Sequence, residues 1–174
     1  VSGEISVAFA PGLGASLIAR FVADFRRTHP HSRLRVKLLS PPVIAERAVR
    51  QEIDIGVYHG PMGDFSLSSV VLAEHAVLCV LPKSHPLAAK KAISPEMLRG
   101  ENILSGSLSG PRQWVHLVSA VLEEHGIDYK PTVECLHAQH LYEFASSGLG
   151  IALTPPLPFP GDKLDVVTRQ FVPR

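Results

Sequence analysis

Two glycines, Gly12 and Gly14, flank Leu13 just where an alternating stretch gives way to a helical one. Residues without a side chain let backbone N–H groups come close to a bound molecule. A helix starting there adds the partial positive charge of its N-terminus, which favours carboxylates and other anions. As a dinucleotide fingerprint the pair is weak, because Leu17 stands where a third glycine belongs. A tight turn with no ligand is the alternative reading. Other residue types argue against catalysis. His137-Ala138-Gln139-His140 is an HxxH without the glutamate and spacing of a zinc protease, so a capping or surface pair is expected and no metal site. Gly106-Ser107-Leu108-Ser109-Gly110 puts neither serine at the centre of a GxSxG elbow. With no nucleophile beside an orienting base and no carboxylate pair, the chain is not expected to be an enzyme.

The elements that would position these residues are legible from periodicity. Ile5 to Phe9 alternates as a strand, and Leu17, Ile18, Phe21, Val22 and Phe25 recur at helical spacing up to His29-Pro30. Leu34 to Leu39 is a second strand. A helix follows with Pro42 in its first turn and Ile44, Ala45, Ala48 and Val49 on its apolar stripe. Ile53 to Tyr58 is a third strand, so the order β-α-β-α-β predicts a parallel sheet covered by helices. After the loop His59 to Asp64, Ser69 to Leu72 and Glu74 to Leu81 read as successive strands. A second α/β unit is expected over 82–153: a short helix capped by Ser94, a strand at Asn102 to Ser105 and a helix from Arg112 to Glu124 stopped by Gly126. It ends with a strand from Thr132 to Leu136, a helix from His137 to Ser146 and a strand from Ile151 to Thr154. The proline-dense run Thr154 to Pro160 reads as an ordered crossover.

Ligands in open α/β sheets lie beyond the carboxyl ends of the strands. That rule selects Pro11, Gly12, Leu13 and Gly14 after the first strand, Ser40 and Pro41 after the second, and Tyr58 and His59 after the third. In the second unit it selects Ser105 and Ser107, then His137 and Gln139, with Thr154 at the end of the last strand. Hydroxyls of Ser40, Ser105 and Ser107 suit a carboxylate, and Tyr58 or His59 would form a selective wall. For each polar residue, ordinary loop solvation is the competing reading.

Composition narrows the classes. The 174 residues are 45% hydrophobic and 19% charged, as in a soluble globular chain with a sizeable core. The longest apolar run, Ala76 to Leu81, is too short to span a bilayer, and no membrane role is expected. Val1-Ser2-Gly3-Glu4 lacks the basic start and apolar core of a signal peptide. Net charge is +1, and Arg26-Arg27 and Lys90-Lys91 are the only adjacent basic pairs, which is no footprint for nucleic acid. Cys79 and Cys135 lie in apolar strand-like runs and read as buried free thiols, in keeping with a reducing compartment.

Five segments in order resemble the effector-binding domain of LysR-type transcriptional regulators, over nearly the whole chain. They are Gly3-Glu4-Ile5-Ser6-Val7-Ala8; Phe25-Arg26-Arg27-Thr28-His29-Pro30; Glu52-Ile53-Asp54-Ile55-Gly56; Val80-Leu81-Pro82-Lys83-Ser84-His85-Pro86-Leu87-Ala88; and Ser147-Gly148-Leu149-Gly150-Ile151-Ala152. The resemblance implies an α/β fold of two Rossmann-like subdomains around a ligand cleft, similar to a type II periplasmic binding protein. It implies subdomain I over 1–81, subdomain II over 82–153 and a return to subdomain I over 154–174, with hinge crossovers near 80–82 and 153–155. It further implies a cytoplasmic protein that senses a small, carboxylate-bearing and amino-acid-like effector, needs no cofactor and pairs as a homodimer, within a tetramer at full length. DNA would be bound only through an N-terminal winged helix-turn-helix that this chain does not contain, and the family's fold continues with a strand and helix past the position of Arg174. A solute-binding protein of a transport system is the alternative on the same fold.

Overall fold

The computed structural model describes residues 3–59, 66–106, 114–135, 138–156 and 164–173. The chain forms two compact units, Val1–Leu72 and Ala73–Arg174.

The first unit is a parallel three-stranded sheet in the order β2-β1-β3, formed by β1 (Glu4–Phe9), β2 (Arg33–Leu38) and β3 (Ile55–Val57). Helix α1 (Ala15–Thr28) joins β1 to β2, and α2 (Pro41–Val49) joins β2 to β3. The period of two along β1 splits the core. Val7 and Phe9 pack with Leu13 and Ile18 on the α1 side, while Ala8 and Ala10 pack with Ile44 and Ile53 on the α2 side. Small residues on the α2 side let that helix lie close. A Cβ on Gly56 would come within 2.2 Å of Ile44 Cγ2. Asp54 ties the sheet together from outside: its carboxylate accepts the Ser6 N–H at 2.7 Å and the Ser6 hydroxyl at 2.8 Å. Those two bonds, the backbone one first, hold the Asp54 carboxyl below its ordinary value.

The second unit is a six-stranded mixed sheet in the order β5-β9-β4-β8-β6-β7. Its strands are β4 (Leu78–Pro82), β5 (Ala92–Ile93), β6 (Ile103–Gly106), β7 (Val133–Cys135), β8 (Ile151–Thr154) and β9 (Val166–Phe171). Strands β7, β6 and β8 run parallel, and β4 runs antiparallel to both β8 and β9. Helix α3 (Trp114–Glu124) covers one face over Cys79, Leu81, Ile103, Ile151 and Leu153. Helix α4 (Ala138–Ser146) covers the other over Val80, Leu104 and Ala152.

Several expectations change here. Ser69 to Leu72 forms no strand, and Val70, Val71 and Leu72 are 82%, 75% and 78% exposed. β-Branched residues favour an extended chain, but a strand also needs a neighbour to pair with. The strand read over Glu74 to Leu81 is confined to β4, Leu78–Pro82. Pro86–Ala89, after β4, is a 3-10 helix with His85 as N-cap. Strands β5 and β9 were not anticipated. β9 pairs with β4 antiparallel and with β5 parallel in the second sheet.

Candidate functional site

Three strand ends converge in the first unit. The β1–α1 connection is a 3-10 turn, Pro11–Leu13, closed by the Leu13 N–H on the Ala10 carbonyl at 3.1 Å. Gly14 follows with φ of 79°, a conformation that strongly favours glycine, and serves as the N-cap of α1. The first intrahelical bond is that of the Ile18 N–H to the Gly14 carbonyl. The amides of Ala15, Ser16 and Leu17 therefore have no partner inside the helix, no side chain caps them, and the first turn contains no acid. This terminus presents donors and partial positive charge without an internal counterweight.

The neighbouring strand ends add side chains. Ser40 is the exposed N-cap of α2, yet its hydroxyl makes no capping bond. Pro41 and Pro42 occupy the first helical positions, where a missing N–H costs nothing. Gly12 lies against His59, whose Cδ2 would be 3.8 Å from a Cβ at Gly12. Tyr58 packs against the Ala8, Ala10 and Ile44 cluster, and partial burial raises its phenol. The sequence rule thus brings Gly12, Leu13, Gly14, Ser40, Tyr58 and His59 to the carboxyl ends of adjacent parallel strands.

The second unit treats its expected residues differently. Ser105 is fully buried at the end of β6. Its hydroxyl accepts a bond from the Tyr129 hydroxyl and donates to the Gly106 carbonyl at 2.8 Å. Burial, first of all, pushes the Tyr129 phenol up. Thr154 is also fully buried and donates to the Pro155 carbonyl at 3.2 Å. Gln139 is exposed on α4, facing Glu143 at 3.5 Å. Ser107, His137 and residues 61–64 lie outside the described residues, as do 157–160 of the proline-dense run. Among the described residues no cluster of three or more His, Cys, Asp or Glu could hold a metal ion. No described helix is long and apolar enough to cross a membrane.

The two cysteines are free and buried in separate clusters. Three strand steps separate β4 from β7, about 14 Å at the usual spacing, too far for a disulfide. Burial pushes the Cys79 thiol up to about 12.

A model of the LysR substrate binding domain matches residues 1–169. The chain belongs to this family. The chain is 30% identical over 158 residues to the transcriptional activator protein LysR of Escherichia coli, covering 89% of this chain and 49% of that protein. Against the regulator AlsR of Bacillus subtilis the identity is 24%, over 97% of this chain and 56% of the relative. The chain thus spans about half the length of the curated relatives it matches. Among solved structures, the effector-binding domain of QuiR, in complex with shikimate, superimposes with a TM-score of 0.82 at 16% identity, over 99% of this chain and 82% of that one. At such identity the likeness establishes the fold, the two-subdomain α/β architecture of LysR effector-binding domains.

Proposed function

We propose that this chain is the effector-sensing part of a LysR-type transcriptional regulator and that its effector is a small carboxylate-bearing molecule. The observation that carries the reading is the uncapped, acid-free N-terminus of α1 beside the uncommitted hydroxyl of Ser40. A carboxylate would take the Ala15 to Leu17 amides as donors, with the Ser40 hydroxyl as a further one. Gly12 keeps its approach open, and Tyr58 and His59 select the rest of the molecule. The family supports the same chemistry: QuiR was solved with shikimate and BenM with benzoate, and both are carboxylates. Ser105 and Thr154 would support strand ends rather than touch the effector, since both hydroxyls are buried against protein atoms. In the intact regulator, DNA contact would fall to a winged helix-turn-helix outside this chain, and pairing with a second copy would transmit the effector's presence.

The test starts with mass spectrometry of ligand carried through native purification, followed by calorimetric titration of the molecule found. Ser40→Ala should weaken its binding about 5- to 150-fold, the equivalent of losing one buried polar contact of about 1–3 kcal/mol. Gly12→Val should weaken it further by obstructing the approach. Unchanged affinity in both folded variants would remove the site from these strand ends.

A further inference from the structure

We draw no further inference here: the strongest candidate, the exposed apolar surface patch of Val70, Val71 and Leu72 at the end of the first unit, carries nothing, because no strand pairs with it among the described residues and nothing in the structure shows what covers it.

Discussion

Removing the Ser105 hydroxyl should destabilise the second unit by an amount that a partner substitution can largely restore. In the folded chain Tyr129 donates to Ser105, and Ser105 donates to Gly106, with both side chains buried. Ser105→Ala leaves the buried phenol without its acceptor, at about 1–3 kcal/mol, and frees the Gly106 carbonyl, at about 1 kcal/mol. The sum, about 2–4 kcal/mol, corresponds to a Tm lower by roughly 4–16 °C for a chain of this size. Tyr129→Phe keeps the Ser105 bond to Gly106 and should cost about 1 kcal/mol. In the double variant no phenol is stranded, so its cost should fall short of the sum of the two by about 1–2 kcal/mol. Urea unfolding followed by fluorescence of Trp114, the single tryptophan, measures all four corners of the cycle. Additivity within about 0.3 kcal/mol would show that the two hydroxyls do not support each other and would refute the reasoning.

Two further outcomes follow from the same structure. The Asp54 carboxyl is held below its ordinary value of 3.8, so its contribution to stability is full above that value and is lost as pH falls through the lower folded one; Asp54→Asn should flatten the acid limb of stability below about pH 4, while Ser6→Ala, which keeps the larger backbone contribution, should retain most of it, as urea unfolding between pH 2 and 7 would record. Gly150→Ala would place a Cβ 2.3 Å from the Asn102 carbonyl oxygen and should cost about 3 kcal/mol, whereas Gly100→Ala, in open space at φ of 82°, should cost only about 1–2 kcal/mol of backbone strain; equal losses in thermal unfolding would contradict the close packing at Gly150.

Where a local rule decides an element, the sequence was a reliable guide. Helix α1 is bounded by Gly14 and by His29-Pro30, and the alternation in β1 is what sends Val7 and Phe9 to one helix and Ala8 to the other. The misses fall where a distant partner decides. Val70 to Leu72 has strand chemistry but no strand beside it. β9 carries Thr168, Arg169 and Gln170 among its apolar residues, which blurs its periodicity, and it exists because β4 pairs with it along five residues. β5 is two residues long, below what any periodicity can reveal.

The same distinction runs through the candidate site. A serine at the carboxyl end of a strand has a free hydroxyl only if nothing else in the fold claims it. At Ser40 the claim would come from its own helix, and the structure shows that bond unmade. At Ser105 the claim comes from Tyr129, 24 residues later in the chain, and no local pattern announces it. Asp54 repeats the point from the other side: an acid next to a strand reads as surface charge until Ser6, 48 residues earlier, is found donating to it twice. Position in the fold therefore nominates residues for ligand contact, and the hydrogen-bond partners then remove some of them. Ser40, Gly12 and the first amides of α1 survive both steps, which is why the effector test rests on them and the stability test on Ser105.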